Sequence, residues 1–201
     1  GAMKPPELMA ELVVFFSKAG ETILDPFAGV GGTLLGAELV GRRAIGIELN
    51  PAWVSVYHKL IRDFKIENGR LVAREATNDN EVKIRAKMIL GDCLAELRGF
   101  DDASLAAIIT DPPYGCNHGA KGFKDETNFN MNNYDDQRDL GKSENFDTYL
   151  KRMQLFGIEA YRILQPGRYL VLLIGDRFFQ GEYIPLGTKV AESLREVGFK
   201  W

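Results

Sequence analysis

The chain has 201 residues, of which 45% are hydrophobic and 26% are charged, and its formal net charge is −3. These proportions are average for a globular protein, and the slightly acidic balance argues against a protein whose whole surface grips nucleic acid, although one positive face stays compatible with it. No apolar run approaches the roughly 20 residues of a membrane span and no signal-peptide pattern opens the chain, so we expect a cytoplasmic protein with no membrane partner.

The length and the cysteine content indicate a simple organisation. A chain of this length suits one domain, so we expect residues 1–201 to form a single domain, with residues 1–3 as the remnant of an expression tag. The two cysteines, Cys93 and Cys116, and the two isolated histidines are too few for a disulfide framework or a multi-cysteine metal site. We therefore predict no metal, and we interpret Cys116 as an ordinary loop thiol.

Helical and strand patterns alternate from the start of the chain. PPELMAELVVFFSKAG begins with prolines and ends with glycine, which predicts a first helix. TILD and RAIGIEL are predicted as the first two strands, on either side of the helix GTLLGAELVG. The run NPAWVSVYHKLIRDFKIENG has an asparagine cap and predicts a helix that continues to Asn68 and Gly69.

The second half repeats this alternation around two irregular segments. Residues 70–86 are charged and aperiodic, and we expect an exposed insertion there. Residues 115–145 form a loop far longer than usual, which we predict to lie on the substrate side and to be functional, mobile or both. The remaining elements are the strands KMILGD and SLAAIITD with the short helix CLAELRG between them, then the helix FDTYLKRMQLFGIEAYRIL, a fifth buried strand RYLVLLIGD and the helix GTKVAESLREVG.

Acidic residues follow the predicted strands where each strand ends. Strands that alternate with helices form a parallel sheet, so the sequence predicts an α/β fold, a mostly parallel twisted sheet with helices on both faces. Ligands bind at the carboxyl edge of such a sheet. The acids expected on that edge are Asp25, Glu48, Asp92, Asp111 and Asp176. One acid at a strand end is commonly a helix cap, but five on one rim favour a ligand site.

The segment DPFAGVGGT joins the first strand to a helix and carries three glycines, which permit a tight turn and close approach of the backbone to a ligand. It fits the dinucleotide fingerprint G-x-G-x-x-G only in part, because Leu34 takes the place of the third glycine, which disfavours a nicotinamide dehydrogenase. Glu48 can accept hydrogen bonds from both hydroxyls of a ribose, and Asp92 can accept one from the amine of adenine. Together these residues describe a nucleoside pocket without a clear phosphate cradle.

A second motif, TDPPYG, follows the apolar run SLAAII. Two successive prolines end a strand, because neither can donate a hydrogen bond to the ladder. Taken alone, the motif is an ordinary exit turn.

The run from Lys4 to Pro51 resembles the S-adenosyl-L-methionine region of amino-methylating DNA methyltransferases, the N6-adenine and N4-cytosine family. That family pairs an FxGxG cofactor loop, here Phe27 to Gly31, with a catalytic [DNS]PP[YFW] motif, here Asp111 to Tyr114. The resemblance implies the Rossmann-like class I methyltransferase fold, with S-adenosyl-L-methionine as cofactor and S-adenosyl-L-homocysteine as product. The complete fold has seven strands, and since the chain stops at VGFKW, we expect its C-terminal hairpin to be truncated.

The resemblance also implies which residues form the site. The catalytic residues would be Asp111, Pro112, Pro113 and Tyr114. The cofactor-binding residues would be Lys4, Pro5, Asp25, Pro26, Phe27, Ala28, Gly29, Gly31, Thr33, Glu48, Leu49, Asp92, Cys93 and Asp111.

The chemistry of an exocyclic amine explains why such a motif is needed. The lone pair of the amine is delocalised into the base, so a carboxylate such as Asp111 and a carbonyl such as that of Pro112 would accept its two hydrogens and favour attack on the sulfonium methyl. Prolines fix the direction of that carbonyl, and Tyr114 can stack on the target base. In a duplex, the base must first be flipped out of the stack.

The favoured reaction is therefore methylation of DNA, with adenine N6 as the target, because Asp at the first motif position is more often linked to adenine in this family. Cytosine N4 stays open, and so do a tRNA guanine-N2 methyltransferase and a non-catalytic cofactor-binding subunit. Residues 115–145 mix aromatic, acidic and basic side chains that could touch phosphates and bases. A homodimer, or a partner subunit that supplies sequence specificity, stays open as well.

Overall fold

The computed structural model describes residues 4–74, 84–114, 136–179 and 181–201. Its helices are α1 (Pro6–Phe16), α2 (Gly32–Leu39), α3 (Pro51–Asp63), α4 (Cys93–Glu96), α5 (Phe146–Ile163) and α6 (Leu186–Val197), with short 3-10 helices at Leu97–Gly99 and Leu140–Lys142. Its strands are β1 (Thr22–Asp25), β2 (Arg43–Glu48), β3 (Phe64–Glu67), β4 (Arg70–Ala73), β5 (Lys87–Leu90), β6 (Leu105–Thr110), β7 (Leu164–Leu172), β8 (Arg177–Phe179) and β9 (Glu182–Ile184).

Five strands form a parallel sheet in the order β5-β2-β1-β6-β7. Counted along the chain, this is third, second, first, fourth and fifth, the order of a doubly wound α/β fold. The strand order reverses between β1 and β6, and a crevice opens there at their carboxyl ends. The sheet confirms the predicted α/β class and its parallel character.

The central strands send alternate side chains to two separate cores. In β1, Ile23 packs with residues of α1, α2 and α3, whereas Leu24 packs with residues of α4, α5 and α6. In β6, Ala107 and Ile109 join the first core, and Ile108 joins the second. Both faces of the sheet are therefore covered by helices, as predicted, and the ends of β1 and β6 sit on a rigid base.

The sequence predicted β7 to be a fifth buried strand, and this prediction is wrong. Only its first residue, Leu164, is buried, and Tyr169 is 55% exposed. Within the described ranges β7 pairs with β6 alone, so it forms an edge of the sheet. An edge strand has a neighbouring strand on one side only, so it is less covered than a central strand. The apolar run RYLVLLIGD had predicted full burial because it does not show this position.

The helix predicted to reach Gly69 is shorter, and this prediction is also wrong. α3 ends at Asp63, and β3 and β4 then form an antiparallel hairpin. The turn residues Asn68 and Gly69 have φ of 49° and 72°, and two positive φ values are typical of the two-residue Asn-Gly hairpin turn. The start of the predicted insertion, 70–86, is therefore a strand, while residues 75–83 lie outside the described residues.

The long substrate-side loop is described only in its last part. Residues 115–135, with Cys116 and most of the expected DNA contacts, lie outside the described residues, and 136–145 include the second 3-10 helix. Within the described ranges, no helix has the length and apolar character needed to cross a membrane. In those ranges, no group of three or more His, Cys, Asp or Glu side chains is arranged to hold a metal ion.

Candidate functional site

In the turn after β1, glycine is required at positions 29 and 31 for different structural reasons. Gly29 has φ of 53°, and its amide donates to Glu48 Oε2 at 2.8 Å. Gly31, at φ 88°, caps α2, and a Cβ there would lie 2.3 Å from Cδ2 of Tyr57. Tyr57 is fully buried, with its hydroxyl donating to the Ala86 carbonyl at 2.9 Å. Gly29 thus shapes the turn at the rim, whereas Gly31 lets α2 approach α3.

Glu48 ends β2 with its carboxylate held by two backbone amides. Oε2 accepts from Gly29, and Oε1 accepts from the Asn50 amide at 2.7 Å. Burial raises the pKa of Glu48, while these two hydrogen bonds act in the opposite direction. A carboxylate has about four acceptor positions, so Glu48 is fixed in place and can still accept from the two hydroxyls of a ribose.

Asp25 lies beneath the rim. Its Oδ1 accepts from the Thr110 hydroxyl at 2.5 Å and from the Phe27 amide at 3.1 Å. Burial raises the pKa of Asp25 to about 6, although the hydrogen bonds of Thr110, Thr33 and Phe27 act to lower it. Asp25 therefore joins the end of β1 to the end of β6, at the point where the strand order reverses.

Asp111 follows β6 and makes two contacts through its carboxylate. Oδ2 lies 3.1 Å from Nζ of Lys4, and Oδ1 accepts from the Tyr114 hydroxyl at 2.8 Å. Burial, together with Asp111, raises the pKa of Tyr114 to about 12. The guanidinium of Arg177, on β8, donates to the Tyr114 carbonyl. The turn is thus held from both sides, by the segment before α1 and by the β8–β9 hairpin.

The five predicted rim acids separate into three positions. Glu48, Asp92 and Asp111 line one cavity, and Asp92 also caps α4 through the Leu94 amide at 3.4 Å. Asp25 is buried at the end of β1 and is not part of the cavity lining. Asp176 lies outside it, where it accepts from the Tyr183 hydroxyl at 2.5 Å and from the Gly187 amide at 3.2 Å. Four of the five acids expected on one rim therefore stand at that edge, three of them in the cavity lining, and the expectation is corrected for Asp176.

The cavity has a volume of about 250 Å³. It brings together the predicted residues Pro26, Phe27, Gly29, Glu48, Leu49, Asp92, Cys93, Asp111 and Pro113. Predicted residues outside its lining are Lys4, Pro5, Asp25, Ala28, Gly31, Thr33, Pro112 and Tyr114. Lys4 and Tyr114 contact Asp111 directly, whereas Ala28, Thr33 and Pro112 are buried in the supporting structure.

Several lining residues were missed by sequence reasoning. They are Ile47, Asn50, Trp53, Gly91, Arg138, Asp139 and Leu140. Asn50 caps the helix that follows Glu48 and Trp53 lies in its first turn, positions that the strand-end rule could have included. Arg138, Asp139 and Leu140 come from the end of the long loop, and no local pattern in the sequence marked them as cavity residues.

The lining fits a nucleoside with an attached charged group, which is the chemistry of S-adenosyl-L-methionine. Glu48 and Asp92 present acceptors for hydroxyl and amine groups. Phe27, Ile47 and Leu140 supply apolar walls between them, as small-molecule sites require. Asp111 and Pro113 bring the turn after β6 to the same cavity, so a bound methyl donor would be next to that turn.

Solved structures with the same architecture define the class of fold. The [4+2]-cyclase SpnF superposes with a TM-score of 0.58, at 18% identity, over 96% of this chain and 58% of that one. Phosphoethanolamine N-methyltransferase 2 of Haemonchus contortus, in complex with S-adenosylhomocysteine, superposes with a TM-score of 0.55 at 12% identity. The match covers 96% of this chain and 37% of that one. The predicted Rossmann-like class I methyltransferase fold is thereby confirmed.

The family follows from the sequence comparison. The profile of the DNA methylase family, the N6/N4 methyltransferases, matches residues 1–59 and 105–200. The chain therefore belongs to the DNA methylase family. This membership and the fit of the cavity support S-adenosyl-L-methionine as the cofactor.

The relatives carry two kinds of name, tRNA methyltransferase and type II methyltransferase. The tRNA (guanine(10)-N2)-dimethyltransferase of Methanocaldococcus jannaschii is 31% identical over 61% of this chain and 31% of its own length. The type II methyltransferases M.HinfI and M.HindIII of Haemophilus influenzae are 37% and 47% identical, over 31% and 24% of this chain. The matches span 17% and 16% of those two enzymes, so the chain corresponds to less than a third of each of these three relatives.

Proposed function

We propose that the protein transfers the methyl group of S-adenosyl-L-methionine to the exocyclic amine of a base in DNA, with adenine N6 as the target. The observation that carries this proposal is the position of the Asp111 turn, at the cavity that also contains Glu48. Membership of the DNA methylase family supports it. The aspartate at the first motif position favours adenine over cytosine.

In this proposal the cavity residues have separate roles in binding. Glu48 accepts hydrogen bonds from the ribose hydroxyls, because its carboxylate is already fixed by the Gly29 and Asn50 amides. Asp92 accepts a hydrogen bond from the adenine amine of the cofactor. The apolar walls, including Phe27 and Leu140, exclude water from the sides of the bound nucleoside.

The catalytic turn prepares the base amine for attack. When bound, the cofactor supplies an electrophilic methyl group on sulfur. Asp111 and the Pro112 carbonyl accept the two amine hydrogens, so the nitrogen lone pair is freed from the ring and can form the new bond to carbon. The electron pair of the broken carbon–sulfur bond stays on sulfur, and Asp111 is placed to take the proton that the amine loses.

Tyr114 has a second role in the proposal, since its ring can stack on the flipped base. In the structure its hydroxyl is bonded to Asp111, so the same side chain orients the carboxylate. Arg177 supports both functions, because it holds the Tyr114 carbonyl.

The test is transfer of tritium from labelled S-adenosyl-L-methionine to DNA and to tRNA, followed by nucleoside analysis. We expect N6-methyl-2′-deoxyadenosine from DNA, and no transfer by Asp111→Ala. Methylated cytosine would move the target to N4. Binding of S-adenosyl-L-homocysteine without transfer to either nucleic acid would instead indicate a cofactor-binding subunit.

A tRNA guanine-N2 methyltransferase is the second candidate, because a specific observation favours it. The archaeal tRNA enzyme matches 61% of this chain, whereas M.HinfI matches 31%. Guanine N2 is also an exocyclic amine and would present two hydrogens to the same acceptors. Methylated guanosine in tRNA together with unlabelled DNA would replace the first proposal by this one.

A further inference from the structure

The segment 136–142, which we call the strap, forms one wall of the cavity. Arg138, Asp139 and Leu140 line the cavity. They follow no strand, since the strap is part of the long loop, before the start of α5. Asp139 caps the 3-10 helix by accepting from the Gly141 amide at 2.8 Å. The strap thus depends on contacts with other elements to keep its place.

Arg152, on α5, makes such a contact. One guanidinium nitrogen donates to the Asp139 carbonyl at 2.9 Å, and the other donates to the Arg138 carbonyl. A planar guanidinium can serve two successive carbonyls at once, which an ammonium cannot do in the same geometry. Arg152 itself is anchored, because Tyr149 and Met153, on either side of it in α5, are fully buried.

The strap also touches the catalytic turn. A Cβ placed on Gly141 would lie 3.2 Å from Cβ of Pro113 and 3.1 Å from Oδ1 of Asp139. Leu140 is 2% exposed and belongs to the core that α5 and α6 form. The strap is therefore packed between the helical core and the prolines of the motif.

We propose that Arg152 is a positioning residue of the methyl-transfer site: by holding the Arg138 and Asp139 carbonyls, it sets the strap both as a wall of the cofactor cavity and as a support for Pro113. This inference rests on the proposed function for its role in transfer. The placement of the strap by Arg152 is tested separately from catalysis.

The first test compares Arg152→Met and Arg152→Lys with the control Lys151→Met, a change at an exposed position of the same helix. Calorimetry measures the affinity for S-adenosyl-L-homocysteine, and steady-state assays separate kcat from KM. We expect Arg152→Met to weaken binding about tenfold or more, as loss of charged hydrogen bonds would, and to raise KM more than it lowers kcat. Arg152→Lys should recover part of the affinity, and the control should stay within about twofold.

A second variant covers the case in which Arg152→Met unfolds. In Gly141→Ala the new Cβ would crowd Pro113 and Asp139. We expect the strap to shift by a few tenths of an ångström while Arg152 is retained, so cofactor binding should weaken in the same direction. Fluorescence of Trp53, which lines the cavity, reports the change once Trp201→Phe has removed the other tryptophan.

Amide hydrogen exchange of the strap provides a readout in the absence of cofactor. In Arg152→Met the Gly141 and Lys142 amides should exchange faster than in the wild type, while amides of β6 should not change. Unchanged strap exchange and unchanged affinity in a folded Arg152→Met would overturn the inference, and so would unchanged affinity in Gly141→Ala where Arg152→Met does not fold. A wild type that binds no S-adenosyl-L-homocysteine would sink the proposed function, while faster strap exchange would still support the role of Arg152 in holding the strap.

Discussion

Nζ of Lys4 lies 3.1 Å from Oδ2 of Asp111, so the segment that precedes the first helix reaches the turn after β6. Both side chains are about one third exposed. An ion pair with this exposure contributes little to stability, since water screens it. Its effect is therefore expected on the orientation of the carboxylate more than on the fold.

Lys4→Met should lower methyl transfer several-fold, because Asp111 loses the partner that orients Oδ2. Its free energy of unfolding should change by less than about 1 kcal/mol, as for an exposed pair. Steady-state rates and urea unfolding check both expectations, with Lys59→Met, a change at an exposed position of α3, as the control. Full activity in Lys4→Met would show that the ion pair has no part in orienting Asp111.

Asp111→Ala should abolish transfer while the affinity for S-adenosyl-L-homocysteine stays within a few-fold of the wild type. The reason is that, in the proposed function, Asp111 acts on the target amine, whereas Glu48 accepts the hydrogen bonds of the ribose. Calorimetry and the tritium assay measure the two effects. Asp102→Ala, which removes an exposed acid paired with Arg162, should leave both unchanged. A large loss of cofactor affinity in Asp111→Ala would contradict its role in catalysis alone.

Asp25 should make stability depend on pH in a defined window. Its pKa is raised from 3.8 to about 6 in the folded state, so between these values the folded protein binds more protons than the unfolded one. Stability from this group is present below about pH 4 and is lost as pH rises to about 6. The shift corresponds to at most about 3 kcal/mol.

Asp25→Asn removes this ionisation and keeps an acceptor for Thr110. The variant should be more stable than the wild type at pH 7, and the difference should shrink as pH falls towards 4. Urea unfolding of both proteins at several pH values measures it. The prediction would fail if the two proteins had the same stability difference at pH 4 and pH 7.

Gly31→Ala should destabilise the protein more than Gly20→Ala does. Both positions have positive φ, 88° and 79°, so both substitutions strain the backbone by about 1 kcal/mol or more. A Cβ at Gly31 also meets Tyr57 at 2.3 Å, whereas one at Gly20 meets nothing within 4 Å. We expect about 2 kcal/mol of additional loss at Gly31, measured by urea unfolding.

The double variant Gly31→Ala with Tyr57→Leu separates the clash with Tyr57 from the backbone strain at position 31. The smaller leucine leaves room for the new Cβ. Gly31→Ala should therefore lower the free energy of unfolding less in the Tyr57→Leu background than in the wild type. Additive effects of the two substitutions would mean that the clash with Tyr57 is not the cause.

Much of the fold could be predicted because its signals are local. The short apolar strands TILD and SLAAIITD, and the asparagine cap at Asn50, correspond to β1, β6 and the start of α3. The pair Asn68 and Gly69 is also a local signal for a hairpin turn. It was interpreted as the end of a helix, because a helical pattern precedes it. The burial of β7 was mispredicted, because an apolar run does not say how many neighbours a strand has.

The sequence by itself determined the alternation of strands and helices, the glycine turn before α2 and the DPPY turn after β6. These features depend on neighbouring residues, whose periodicity, proline and glycine content set the backbone locally. Only the tertiary structure decided that Asp176 lies off the rim, since the pairing of β6 with β7 ends at Leu172. The tertiary structure also decided that the strap lines the cavity, that Arg152 holds the strap and that Arg177 contacts Tyr114. These contacts join residues that are apart in the chain, and no local pattern encodes the packing that brings them together.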